Sequence, residues 1–332
     1  MGRDKNAHSH IRRVHGGCLT GCFTRILMLF GLAAFLFVGA CAFGLISNDA
    51  DGRPTLDLSA LHLENISLPT ASSGSGSGNA GSSALLSVWP YAINGSGLTL
   101  KVLRCGEGQA VLVCCDGYTM LVGGGSSTYE TGAQMLLCGV NRLDAAIALS
   151  SEEKQTKGMI FAAQLAKPSW VFYGNTQTVS AALSDFLRSC GTAQQIVPSV
   201  GMSFNLGRAR VSFIGPVYTN HTDSRDDALS LRIDCGNTGI LILGELSSDG
   251  QRELLDGNML SHADALIYGG TSEEEMPADA AAAIQPSIVL CTEDADWKTK
   301  ARLEQLGAKV YAKQQYGVMT LYSDGETIQV YP

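Results

Sequence analysis

"LDAAIALSSEEKQTKG", residues 143–158, decides how this chain is read. Ala145 to Leu149 is an apolar run without a charge, the pattern of a buried strand. Ser150, Ser151, Glu152, Glu153, Lys154 and Gln155 follow, and helical spacing resumes over about 156–166. In open α/β sheets, ligands sit beyond the carboxyl ends of strands. The polar cluster is therefore placed either as an active site or as the remains of one.

The same logic extends in both directions. Upstream, "LTLKVLRC" (98–105), "AVLVCCDG" (110–117) and "YTMLVGGG" (118–125) predict three strands, with Asp116-Gly117 as a hairpin turn. A helix is expected at 130–139. Downstream come a strand at 169–174, a helix at 178–191 closed by Gly191, and the strand "QQIVPS" (194–199). Strands follow at 209–214, 228–235 and 239–244, the last two joined at Gly236-Asn237. Helices at 247–256, 277–284 and 297–306 alternate with strands at 263–270 and 287–292, and "AKVYA", "VMTLYS" and "TIQVYP" close the chain. β-meanders combined with βαβ crossovers predict an α/β protein with two packed sheets and helices outside. The loops at 104–109, 123–129, 150–158, 244–248 and 269–277 are then the ones placed to hold a site.

Residues 26–46, "ILMLFGLAAFLFVGACAFGLI", are 21 consecutive uncharged residues, enough as a helix to span a bilayer. Residues 1–25 carry Arg3, Lys5, Arg12, Arg13 and Arg25 against Asp4, a basic flank that stays cytoplasmic. The expected order is a cytoplasmic tail (1–25), a transmembrane anchor (26–46), an extracytoplasmic linker (47–84) containing "ASSGSGSGNAGSS" (71–83), and a globular domain (85–332). That places the domain outside the cell membrane on a single-pass anchor. "VGAC" (38–41) offers the competing reading of a lipoprotein anchored at Cys41. Residues 85–332 hold 17 Lys and Arg against 26 Asp and Glu, which is no match for a phosphate backbone. Nucleic acid is not an expected partner; the membrane and an envelope ligand or protein are. Seven cysteines (105, 114, 115, 138, 190, 235, 291) sit in this part, mostly in apolar runs and without a C-x-x-C pair, as small core residues do.

At the loops the chain resembles the metallo-β-lactamase fold, in particular the C-terminal domain of the competence protein ComEC. The family's D-V-G-Q-G-D and L-I-D-G-G correspond to "RCGEGQ" (104–109) and "LVGGG" (121–125), and its L-D-A-L-I-L-T-H-x-D-x-D-H-x-G-G to "LDAAIALSSEEKQTKG". T-G-D appears as "LGE" (243–245), V-G-H-H-G-S as "YGGTS" (268–272), and "RLEQLGAKVYAKQQYGVMTLYSDG" follows the family's closing helix and strands. The resemblance implies a four-layer αββα sandwich. It also implies two metal ions, commonly zinc, that activate a water for hydrolysis of a phosphodiester or acyl bond.

The departures fall on the metal ligands. The motif histidines are Ser150 and Gln155, their aspartate is Lys154, and Glu152 alone keeps a carboxylate. The bridging aspartate is Glu245, the later histidines are Gly270 and Thr271, and the aspartate of L-I-D-G-G is Gly123. Two histidines, His221 and His262, occur after residue 84, both off the motif loops. An ammonium at 154 repels a cation, and Lys154 is expected to pair with Glu152 or Glu245. The expectation is thus a degenerate site without catalytic residue, metal or other cofactor. Arg104, Glu107, Glu152, Lys154 and Glu245 remain as candidate cleft-binding residues. The alternative is a divergent metal-dependent hydrolase, a phosphodiesterase or nuclease linked to DNA uptake, holding zinc or another divalent metal.

Overall fold

The structure, a computed structural model, describes residues 96–332 except 177, 178 and 271, together with the backbone of 46–48 and 54–56. The chain divides into two units, Met1–Gly76 and Ser77–Pro332. Of the first, β1 (Ile46–Asn48) and β2 (Pro54–Leu56) form an antiparallel pair. The expected anchor before Ile46, Cys41 and the Gly/Ser linker lie outside the described residues. Among the described residues no helix is long and apolar enough to cross a membrane.

The second unit opens with a meander of β3 (Leu98–Val102), β4 (Ala110–Cys115) and β5 (Tyr118–Gly123). Asp116 (φ 51°) and Gly117 (φ 86°) make the turn between β4 and β5. A two-residue turn with both residues left-handed matches the twist of the flanking strands, and Asp-Gly tolerates it best. Helix α1 (Glu130–Leu137), β6 (Ala145–Ala148), α2 (Glu153–Ala166), β7 (Trp170–Tyr173), α3 (Ala181–Ser189) and β8 (Gln194–Ile196) continue this half. The second half contains β9 (Ser203–Leu206), β10 (Ala209–Gly215), a 3-10 turn (Ser224–Asp227), β11 (Ser230–Cys235) and β12 (Thr238–Leu243). Then come α4 (Ser248–Asp256), β13 (Ala265–Tyr268), α5 (Ala278–Ile284), β14 (Ile288–Cys291), α6 (Trp297–Gln305) and β15 (Lys309–Ala312). The short α7 (Lys313–Tyr316) leads to β16 (Met319–Ser323) and β17 (Ile328–Tyr331).

Two mixed sheets result, in the order β17-β16-β3-β4-β5-β6-β7-β8 and β15-β14-β13-β12-β11-β10-β9. Strand alternation sorts the core into three layers. Val111, Val113 and Cys115 face Ile240, Ile242 and Ile267 between the sheets. Leu112, Cys114 and Leu121 point the other way, onto Met159, Ala162 and Phe186 of the helices outside the first sheet. Leu241, Leu243 and Leu266 meet Leu254, Ala281 and Leu303 outside the second. The described residues thus form the αββα sandwich that the sequence predicts. The parallel strands β6 and β13 are buried along their whole length, as strands covered on both faces require.

Three local differences from the sequence reading stand out. Strand β9 is an edge strand paired only with β10, and its half-exposed "SFNL" carries no strong strand pattern. Helix α3 starts at Ala181 because the Ser180 hydroxyl caps it, accepting from Leu183 N at 3.0 Å. Helix α2 starts at Glu153 rather than near 156, so Glu153, Lys154 and Gln155 lie on its first turn. That turn is held by Thr156 Oγ1 donating to Ser150 O at 2.9 Å and by the Lys157–Glu153 pair at 2.8 Å.

The start of α2 rests directly on the turn after β5. Gly124 N donates to Gln155 O (2.8 Å) and Gly158 N to Gly125 O (3.0 Å). A Cβ built on Gly158 would lie 2.0 Å from Gly124 O. Alanine is the better helix former by about 1 kcal/mol, yet Gly158→Ala is expected to destabilise the domain by about 2–3 kcal/mol, because a backbone oxygen cannot step aside. Urea unfolding measures it, and a gain in stability would contradict this contact.

Candidate functional site

The loops after β5, β6, β12 and β13 converge at one edge of the sandwich, where Leu229 N donates to Leu149 O at 2.7 Å and Gly269 N to Leu243 O at 3.0 Å. Ser150, Glu152, Lys154, Gln155 and Glu245 meet there. Lys154 Nζ lies 3.5 Å from Glu152 Oε2 and closer still to Glu245 Oε2. The Glu245 side chain is 5% exposed, those of Lys154 and Glu152 34% and 29%. Burial pushes the Glu245 carboxyl above the usual range, against the pull of Lys154. Burial alone would lower Lys154; Glu245 and then Glu152 outweigh it and hold the ammonium above its ordinary value. The ion pair joins the first turn of α2, which follows β6 of the first sheet, to the loop after β12 of the second.

The other positions that the resemblance aligns with metal ligands have structural partners. Ser150 Oγ accepts from Glu152 N at 3.3 Å. Gln155 is buried, and its Oε1 accepts from Gln109 N at 3.1 Å, clamping the 108–109 turn. Gly123 has φ 68°, and a Cβ there would sit 2.2 Å from Gln109 O. A Cβ on Gly270 would sit 2.1 Å from Cζ of Tyr268, whose ring is fully buried. Thr271 lies outside the described residues. Arg104 and Glu107 do not join the group: both are exposed, and among the described residues no ion pair links either to Lys154, Glu152 or Glu245. Their backbones are fastened instead, Arg104 N and O to the Gln134 amide and Glu107 N to Ser126 Oγ at 2.9 Å.

The sequence reading missed a second set of residues at this edge. Glu293, after β14, accepts from Gly108 N and lies 3.8 Å from Lys313, whose ammonium also donates to Gly106 O (3.1 Å) and Gly108 O (3.0 Å). Gln109 is fully buried between the sheets. Its replacement of the last aspartate in D-V-G-Q-G-D was the available signal. Position after a parallel strand was the signal for Glu293 and Lys313.

Such a seat does not fit a pair of metal ions. Among the described residues no group of three or more His, Cys, Asp or Glu is arranged to hold one. The space that remains beside Glu245, Glu152, Gln155 and Arg225 is about 10 Å³, room for one water. Open space lies next door, in a cleft of about 370 Å³ lined by Ser150, Ser151, Glu152, Ser180, His221 and Asp227 among others.

No family model matches the chain, and no curated protein matches it in sequence. Among solved structures it is similar to the metallo-β-lactamase fold protein YhfI from Bacillus subtilis, at 16% identity and TM-score 0.45, over 65% of this chain and 96% of that one. It is also similar to CmlA, a diiron β-hydroxylase from Streptomyces venezuelae, at 12% identity and TM-score 0.46, over 65% of this chain and 53% of that one. A third is Zn²⁺-bound PqqB from Methylobacterium extorquens, at 12% identity and TM-score 0.41, over 61% of this chain and 84% of that one. The likeness is one of fold. The chain spans about half the length of CmlA.

Proposed function

We propose that this chain is a membrane-anchored, extracytoplasmic binding domain on a metallo-β-lactamase-like frame that has given up metal catalysis. The observation that carries the reading is the Lys154–Glu245 ion pair, which puts a fixed ammonium at the seat where the resemblance implies metal ions. Tyr268 packed under Gly270, and Gly123 against Gln109 O, support it, since neither position has space for a ligand side chain. The anchor rests on the uncharged stretch 26–46 behind a basic flank. Binding then falls to the neighbouring polar cleft, whose lining includes no Lys or Arg and which therefore suits an uncharged or cationic envelope ligand better than a phosphate.

The second reading, a divergent phosphodiesterase or nuclease of DNA uptake, follows from the ComEC resemblance. Elemental analysis of the purified chain, with a phosphodiesterase assay in added zinc or manganese, separates the two. The expected result is less than about one tenth of an equivalent of transition metal and no turnover above the blank. Bound metal at one or two equivalents, with turnover, would restore the hydrolase.

A further inference from the structure

His221 is not part of the former metal seat, yet both of its ring nitrogens are engaged. Nδ1 lies 2.8 Å from Asp227 Oδ1 and Nε2 lies 2.6 Å from Glu253 Oε2. The three side chains are 20%, 9% and 17% exposed. The same two carboxylates also hold the loop that carries the histidine. Glu253 Oε1 accepts from Val217 N (3.0 Å) and Tyr218 N (2.9 Å), and Asp227 Oδ1 from Asn220 N (2.8 Å) and His221 N (3.2 Å). The 217–222 segment is thereby pinned to α4 on one side and to the 3-10 turn on the other. Its last two residues, His221 and Thr222, line both the cleft of about 370 Å³ and a second, of about 390 Å³, and are the wall that the two share; Asp223, Ser248 and Glu274 also line the second.

A neutral imidazole has one N–H, so one carboxylate would face a ring lone pair at hydrogen-bond distance. An imidazolium donates to both, through charge-assisted bonds. The remaining charges around the ring are mostly acidic. On its own loop Asp223 is tied up by Arg225, which also pairs with Glu274. From the 3-10 turn, Asp226 is held by Ser247 N and Oγ. From α4, Asp249 pairs with Arg252, and Glu152 faces the ring's cleft from the start of α2. No second cation stands between Asp227 and Glu253 among the described residues.

We propose that His221 is a proton-operated latch: protonated, it holds the 217–222 segment as the wall of the cleft, and on losing its proton it releases that wall. Burial by itself would lower the pKa of His221; the hydrogen bonds to Asp227 and Glu253, and then their charges, outweigh it and hold the group above its ordinary value. The sign follows. A folded-state pKa above the unfolded one gives a stabilisation present in full below about pH 6.5 and lost as the pH rises through the folded value. The cleft wall is then firm in mildly acidic surroundings and loose in alkaline ones. The latch regulates the cleft of the proposed binding reading, but it is testable without any ligand.

Hydrogen exchange of the full chain, read by mass spectrometry at pH 6 and pH 9 and corrected for intrinsic rates, tests it. Peptides covering 215–223 are expected to lose protection by about tenfold at pH 9, as the segment opens locally. Peptides from β4 and β12 serve as the unchanged reference. In His221→Gln the segment is expected to exchange fast at both pH values. In Glu253→Gln one partner is gone, so the midpoint of the change is expected to fall. Equal protection of the wild-type segment at both pH values would overturn the latch. So would an unchanged pH dependence in His221→Gln or, should that variant misfold, an unmoved midpoint in Glu253→Gln. None of these outcomes bears on whether the cleft binds a ligand.

Discussion

Lys154→Met is expected to lower the stability of the folded domain by about 2 kcal/mol at pH 7.5, or about 4–8 °C in Tm. Removing one partner of a fully buried pair costs about 3–5 kcal/mol. The lower figure allows for the solvent exposure of Lys154, whose side chain is 34% open. The loss comes from Glu245, which stays buried without its cation. Two further measurements separate this cause from general damage. In Lys154→Met the carboxyl of Glu245 is expected to titrate higher than in the parent, so the variant's deficit shrinks as the pH falls toward about 4.3, the ordinary glutamate value. Lys154→Met combined with Glu245→Leu leaves neither charge and is expected to regain most of the loss, because an apolar pair of similar volume can replace a buried ion pair at little cost. Thermal unfolding of the three chains at pH 5 and pH 8 reads all of this. A double variant no better than the single one would show that Lys154 acts by packing and not by charge.

Gly123→Asp, which restores a carboxylate of the metallo-β-lactamase pattern, is expected to cost about 3–5 kcal/mol. A left-handed backbone charges a non-glycine residue about 1–2 kcal/mol, and overpacking adds about 1–3 kcal/mol. Here the added Cβ meets a backbone oxygen at 2.2 Å, which puts the second contribution at its upper end. Gly270→His meets a fully buried tyrosine ring and should be comparably harmful. The consequence for function is direct. A chain carrying Ser150→His and Gln155→His is expected to gain no zinc affinity, and adding Gly270→His is expected to leave it largely unfolded. Far-UV circular dichroism and zinc titration against a colorimetric competitor check both statements. A folded Gly270→His chain that holds zinc tightly would mean that the frame still accommodates the site.

Much of this site could be read from the chain because it depends on residue identity at the ends of strands. Ser150, Lys154 and Gln155 follow β6 directly, and Glu245 follows β12; once the strands are placed, these residues meet. The Lys154 pairing was legible for the same reason: an ammonium among carboxylates seeks one. What sequence could not show depends on packing across long separations. Gln109 and Gln155 are 46 residues apart, and Glu293 reaches Gly108 over 185. Arg104 and Glu107 stand on a motif loop but point outward, which their identities do not reveal. His221 looked isolated because its partners, Asp227 and Glu253, come from separate elements. The outer faces of the strands were clear from alternation, whereas the start of α2 was not, because it is fixed by contact with the 123–125 turn.

The ion pair that spans the two sheets has one more consequence. A cation delivered by a side chain cannot dissociate, compete with other ions or be stripped by a chelator. If the proposed reading holds, the fold of the domain does not depend on trace elements, and its thermal transition is expected to be the same in medium treated with EDTA as in medium rich in zinc.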